Sequence, residues 1–219
     1  MTFVAVKDAL DVIPPLSFVG WRFLIGAAVL LALSFPKGRP VWRDGTIAGG
    51  ILFVGYAAQT VGLEQTTATN SGLITGLYVV FTPLLAAAFA RLRPAASTVF
   101  GASLSVLGLG MLTISDTFTL STGDLWTLAC AAAFALHIVA LARMAPRHDV
   151  VAFTSVQLLV TAVAALALSA VFEGAGWPPR SVWLTLAITA LVVTCGAFLV
   201  QVWAQTIVGP SRTAIVLAL

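Results

Sequence analysis

Seven stretches of this chain stay apolar for close to twenty residues each, and the charged side chains fall almost entirely between them. A hydrocarbon core about 30 Å thick is crossed by roughly 20 helical residues rising about 1.5 Å apiece, so runs of this length make lipid the natural solvent of the polypeptide. Only 9% of the residues are charged and 60% are hydrophobic, where a soluble domain carries about a quarter charged. No water-soluble fold could hide so much apolar surface. The expected spans are residues 15–34, 45–62, 69–90, 95–115, 124–143, 150–172 and 181–207, flanked by shorter apolar pieces at 1–6 and 211–219. They are read as helices because the runs are continuous and lack the polar alternation of a water-filled barrel. The chain is expected to be an all-α polytopic membrane protein.

The connections are short and rich in Pro and Gly, as in Pro36-Lys37-Gly38-Arg39-Pro40 and Gly174-Ala175-Gly176-Trp177-Pro178-Pro179, and leave no room for a soluble domain. Met1 leads into Thr2-Phe3-Val4 with no basic start and no later small-residue cleavage pattern, so no secretory signal is read. Basic residues near helix ends are retained in the cytoplasm. With the 36–44 loop inside, Lys37, Arg39, Arg43, Arg91, Arg93, Arg143, Arg147 and Arg212 all face the cytoplasm, against Lys7 and Arg180 on the other side. The 116–124 loop, which has no Lys or Arg, then lies outside. The net charge of +3 follows from this basic face and calls for no nucleic-acid partner.

Internal repetition comes next. The block from Phe18 to the terminal Leu31-Ala32-Leu33-Ser34 aligns without gaps on the block from Phe153 to Leu166-Ala167-Leu168-Ser169, an offset of 135 residues that pairs Arg22 with Gln157. Gln65-Thr66 and Ser71 then correspond to Gln205-Thr206 and Ser211 at an offset of 140. The first copy starts from the outside and the second from the cytoplasm, so the repeats are expected to be inverted, each of five helices. Inverted halves that rock around a central site are a common architecture of secondary transporters.

Thr2-Phe3-Val4-Ala5-Val6-Lys7, Arg22-Phe23, the run Gly62-Leu63-Glu64-Gln65-Thr66-Thr67-Ala68-Thr69-Asn70-Ser71-Gly72-Leu73, and Phe81-Thr82-Pro83-Leu84 together resemble EamA-type members of the drug/metabolite transporter superfamily. The resemblance covers essentially the whole chain and is most specific over residues 62–84. It implies a ten-helix carrier of the bacterial inner membrane, with repeats at 1–115 and 124–219, a central cavity and no cofactor. Its solute would be an amino acid, another small metabolite or a drug, often moved outward. The chain departs from the pattern at both ends. Only about 10 Å of helix separates Arg212 from Leu219, so the expectation is a fragment whose missing parts complete the first helix and the second repeat.

An ionisable group at membrane depth usually faces protein or water. Arg22 stands seven residues after Pro15, roughly 10 Å down a helix. It either snorkels to the headgroups or acts as a cavity cation for a substrate carboxylate. Gln157 is read as an interhelical partner or a substrate contact, and Gln59, Gln201 and Gln205 lie deeper, the last two on one helix face. Tyr78, Trp126 and Trp203 can line a cavity or sit in the interfacial aromatic belt, Trp203 being the deeper. Glu64 either belongs to a solvated outer turn or couples protons, and His137 either packs through a hydrogen bond or relays protons. A single histidine without Cys, Asp or Glu at ligand spacing makes no metal site. Cys130 and Cys195 match no paired motif and read as packing residues. Gly72-x-x-x-Gly76 and Gly45-x-x-x-Gly49 offer small surfaces for close helix approach, and Pro83 frees a carbonyl a turn earlier, a kink or hinge.

Three function classes remain. A secondary transporter of a small solute, with lipid and solute as its partners, is supported by the repeat and the resemblance. An intramembrane enzyme would need a catalytic pair such as His–Glu or Ser–Lys at membrane depth, which the sequence does not offer. A non-transporting membrane scaffold is the alternative to the first.

Overall fold

The computed structural model describes residues 12–94, 96, 99–101, 103–104, 107–108, 121–174 and 176–217. Every regular element among them is helical. Helix α1 is Pro15–Leu33, α2 Arg39–Gln65, α3 Ala68–Thr75, α4 Tyr78–Phe89, α5 Thr122–Met144, α6 Val150–Ser169, α7 Trp183–Ile188, α8 Ala197–Ile207 and α9 Pro210–Leu217. Six helical stretches among the described residues are long and apolar enough to cross a membrane: Pro15–Leu33, Arg39–Gln65, Ala68–Ala90, Thr122–Arg147, Val150–Gly174 and Arg180–Ile207. The expected pieces at 1–6 and most of 95–120 lie outside the described residues.

Three expected spans change on inspection of the backbone. The 45–62 span is longer at both ends, because Pro40 sits in the first turn of α2, where its missing N–H and fixed φ cost nothing. Most of the 36–44 loop is therefore helix. The 69–90 span is interrupted at Gly76-Leu77, where Gly76 closes α3 and α4 begins. The 181–207 span has a wide π-helical stretch, Thr189–Gly196, between α7 and α8. A second π-helical stretch, Ala170–Gly174, continues α6. Helix starts follow local chemistry: the Thr67 hydroxyl accepts the Asn70 N–H at 3.1 Å, and the Asp149 carboxylate accepts the Ala152 N–H at 2.8 Å. At α5, Ser121 and Asp124 form a reciprocal capping box, each side chain accepting the other's N–H at 3.0–3.1 Å.

The chain forms two compact units. Unit 1 comprises Met1–Phe53 and Met144–Thr206. In it α1 and α6 pack antiparallel: the Ser17 and Ser169 hydroxyls lie 2.6 Å apart at one end, and Ser34 donates to Asp149 at 3.2 Å at the other. Between these ties, Gly20 faces Leu166 and Gly26 faces Leu158. The first half of α2 lies on α6 through two glycines. A Cβ at Gly49 would stand 2.6 Å from the Gln157 carbonyl oxygen, and one at Gly45 2.6 Å from Val156. The Thr161 hydroxyl seals this approach by donating to the carbonyls of Gly49 and Gln157 at 3.0 and 2.9 Å. Ile13, Phe18, Val182 and Leu186 form an apolar cluster with Trp21, Ile25 and Trp183 around it.

Unit 2 comprises Val54–Arg143 and Ile207–Leu219. Its core of Ile74, Leu77, Val80 and Ala131 joins α3 and α4 to α5. The second half of α2 meets α5 at Gly55, against Phe134, and at Gly62, against Thr127 and the Gly123 carbonyl. Helix α9 packs on α4. Each unit draws residues from both of the stretches expected to be repeats.

Candidate functional site

The interior of unit 1 holds many hydroxyls, and most are satisfied by their own helix. Thr154 donates to the Val150 carbonyl at 2.6 Å, Ser155 to Ala152 at 2.8 Å and Thr189 to Thr185 at 2.6 Å. Such back-bonding hides the hydroxyl at little cost and leaves nothing to offer a solute. Two side chains differ. Among the described residues, the Thr194 hydroxyl and both amide atoms of Gln205 are buried with no hydrogen-bond partner. A buried polar group left unsatisfied costs stability, so it calls for an explanation. Thr194 lies in the π-helical stretch beside Gly26, its methyl 3.5 Å from where a Cβ of Gly26 would stand. Gln205 lies on the packed face of α8 with Phe198 and Val202.

Arg22, on α1, is 8% exposed, so protein rather than lipid encloses most of it. Its guanidinium carbon sits 5.1 Å from the centre of the Phe23 ring, and Phe23 meets Phe198 edge-on at 5.9 Å. Gln157 is wholly buried on α6. Gln201 is half-buried. Trp203, expected to be a deep cavity aromatic, is 56% exposed and lies off the face that carries Val202 and Gln205. Cys195 is buried and donates to the Gly26 carbonyl at 3.4 Å, a packing contact.

Three polar ties of unit 1 were not singled out in the sequence. The Glu173 carboxylate accepts the N–H groups of Leu16 and Ser17 at 2.9 and 3.1 Å and the Ser169 hydroxyl at 2.8 Å. It therefore caps the first turn of α1 from 156 residues away. At the opposite end of the helix pair, Ser34 reaches the carboxylate of Asp149, the cap of α6. The two copies of Leu-Ala-Leu-Ser thus end alike: each serine donates to the carboxylate that caps the other helix. The third tie is the pair of Asp44 and His148, 2.9 Å apart with side chains only 4% and 8% exposed. The His148 ring stacks on Phe153 at 5.4 Å, and Arg43 reaches the second oxygen of Asp44 at 3.0 Å.

In unit 2, His137 is buried on α5, Gln59 and Tyr78 are half-buried, and Glu64 is exposed near the end of α2. Thr66, just past α2, donates to Asp124 at 2.6 Å, and Thr122 donates to Gln65 at 2.6 Å. The turn around Thr66 is therefore fastened to the start of α5. Pro83 lies inside α4, where Thr82 donates to the Tyr78 carbonyl at 2.6 Å. Gly76 marks the break before α4. No described atom lies within 4 Å of a Cβ built at Gly72, whereas Gly45 and Gly49 approach α6 closely. Among the described residues no three His, Cys, Asp or Glu side chains gather as metal ligands would.

Comparison with known proteins fits this arrangement. The EamA-like transporter family matches residues 1–114 and 121–219. An uncharacterized transporter of Archaeoglobus fulgidus is 33% identical over 222 residues, covering 100% of this chain and 69% of its own. A crystal structure of a protein 22% identical in sequence superposes with a TM-score of 0.76, covering 99% of this chain and 78% of its own, a likeness of fold. A chain with several apolar membrane-length helices, matched along nearly its whole length, belongs to the EamA-like transporter family and is a multi-pass membrane transporter.

Proposed function

We propose that this protein is a secondary carrier of the bacterial inner membrane that exports a small metabolite, amino acid or drug by alternating access between two inverted five-helix repeats, residues 1–115 and 124–219. The observation that carries this reading is the antiparallel pairing of α1 with α6, the two helices whose sequences repeat. Ser17 pairs with Ser169 and Gly20 with Leu166, so the contact is centred near residue 25 of α1 and residue 160 of α6. Those positions correspond at the 135-residue offset of the repeat, as a two-fold axis in the membrane plane requires. The two stretches matched by the family support the same division.

In this reading Arg22 recognises an anionic group of the solute. An arginine so enclosed at membrane depth carries a charge that lipid cannot solvate, and its planar fork suits a carboxylate. Gln157, Gln201 and Trp203 in unit 1, and Gln59 and Tyr78 in unit 2, supply polar and aromatic contacts to the solute, and Thr194 and Gln205, without a partner among the described residues, join those of unit 1. Glu64 and His137 are the groups available for proton coupling. Gly72, Gly76 and Pro83 form the hinge, around the break between α3 and α4. The test is flux of labelled amino acids, organic acids and drugs into proteoliposomes. Arg22→Ala should abolish flux of the anionic solute, with Arg22→Lys retaining part of it if charge alone is used and losing it if bidentate contact is needed. Undiminished flux and affinity in correctly inserted Arg22→Ala would sink the assignment.

A further inference from the structure

The exposed arginines of unit 2 are Arg91, Arg93, Arg143 and Arg212. Among the described residues the ion pairs are Arg43–Asp44 and His148–Asp44, both in unit 1. The described carboxylates of unit 2 are Glu64 and Asp124, and Asp124 lies in the first turn of α5 while Arg143 lies in its last. The 19 helical steps from one to the other span about 29 Å, well beyond the roughly 8 Å over which charge is felt at physiological salt. Carboxyl-terminal helix dipoles at α4 and α5 offset only about half a charge each, so about three of the four positive charges stand unanswered among the described residues of unit 2.

Two details fix the arginines where they are. Arg91 has φ 54°, the left-handed conformation that ends α4 where glycine is usual, with the Leu92 N–H reaching back to the Ala87 carbonyl at 2.9 Å. A side chain at this position strains the backbone, yet among the described residues Arg91 makes no ion pair in return. The Arg143 guanidinium lies 4.9 Å from the centre of the Phe89 ring, beside the last turn of α4. Arg93 follows two residues after Arg91, and Arg212 is in the first turn of α9, which packs on α4.

We propose that this end of unit 2 docks an anionic phospholipid, with Arg91 and Arg143 gripping the headgroup phosphate and Arg93 and Arg212 adding to its field. The helices that carry Arg91 and Arg143 to this point are membrane-length and apolar, so the arginines emerge at the headgroup level. Guanidinium groups match phosphate oxygens bidentately. Phe89 and Leu92, 51% and 69% exposed, flank Arg91 and offer an apolar surface to an acyl chain, which a free phosphate would not use. The proposal is independent of the solute and of the transport mechanism.

The test is native mass spectrometry of the purified full chain, titrated with phosphatidylglycerol and separately with phosphatidylcholine. Phosphatidylglycerol should be retained preferentially. Arg91→Gln and Arg143→Gln should each weaken its binding about fivefold, and the double variant about 25-fold. Arg39→Gln, in unit 1, should leave it unchanged. Arg91→Gly separates binding from folding: it removes the charge while relieving the left-handed backbone, so thermal stability should hold or rise as phosphatidylglycerol binding falls. Unchanged phosphatidylglycerol binding in the double variant would overturn the proposal. So would equal retention of the two lipids, an equal loss in Arg39→Gln, or displacement of the lipid by inorganic phosphate alone.

Discussion

In unit 1 each described carboxylate answers a partner far along the chain: Asp44 holds His148, Asp149 takes the Ser34 hydroxyl, and Glu173 caps α1. Unit 2 ties Asp124 to Thr66 at one end and, among the described residues, leaves its arginines at the other end without a carboxylate. Packing shows the same contrast between Gly49, jammed against the Gln157 backbone, and Gly72, which no described atom approaches. The polar groups of unit 1 join segments 104 to 157 residues apart in sequence and so hold the fold. At the basic end of unit 2 the Arg143 guanidinium rests on the Phe89 ring, and no described carboxylate pairs with the arginines.

The largest effect should come from packing. In unit 1, Gly49→Ala puts a methyl group 2.6 Å from a backbone oxygen and 2.8 Å from the Cβ of Val160, and neither can move without shifting a helix. A loss of about 3 kcal/mol is expected, read as a drop in thermal unfolding in detergent. Gly72→Ala in unit 2 should be neutral or stabilising by up to about 1 kcal/mol, since alanine favours the helix and no described atom opposes it. Equal losses at the two sites would break the contrast in packing.

Next in size is the Asp44–His148 pair. Asp44→Ala leaves an imidazole that is almost fully enclosed without its carboxylate, and should cost about 2 kcal/mol. A double-mutant cycle with His148→Ala should return a coupling of about 1 to 2 kcal/mol. Arg143→Gln in unit 2 forfeits only an exposed cation–ring contact worth under about 1 kcal/mol. If Arg143→Gln proved as damaging as Asp44→Ala, the basic end of unit 2 would be a structural tie like those of unit 1.

Much of this fold was legible because lipid imposes a simple ruler on the sequence. The positions of the membrane-length helices and the close approach at Gly45 and Gly49 all follow from apolar length and small-residue spacing. The break at Gly76-Leu77 and the π-helical Thr189–Gly196 were not legible, since both lie in uninterrupted apolar sequence and hydropathy carries no record of hydrogen-bond register. His148 and Asp44 sit 104 residues apart, one just before α6 and the other near the start of α2, with no local motif to join them. A signal for the end ties did exist: the repeated Leu-Ala-Leu-Ser marked both serines, and Ser121-x-x-Asp124 is a capping box. Arg22 drew notice because charge at membrane depth is rare. Gln205 and Thr194 became distinct only when packing showed which amides and hydroxyls lack a partner.

The smallest effect sharpens the comparison within unit 1, where the two serines make the same contact in different surroundings. Ser169 is buried, receives the Ser17 hydroxyl at 2.6 Å and passes its own proton to Glu173 at 2.8 Å. Its replacement by alanine strands the Ser17 hydroxyl and removes one of the groups that hold the Glu173 carboxylate over the start of α1. A cost of about 1 kcal/mol follows. Ser34 makes a longer bond of 3.2 Å in an exposed position, where water can replace it at once. Ser34→Ala should therefore cost no more than a few tenths of a kcal/mol, within the range of surface changes. Thermal unfolding of the two variants in the same detergent decides the matter. If Ser34→Ala is as costly as Ser169→Ala, the Asp149 end is shielded from solvent in the membrane-embedded protein, and the ties at the two ends of α1 and α6 are equivalent in strength as well as in sequence.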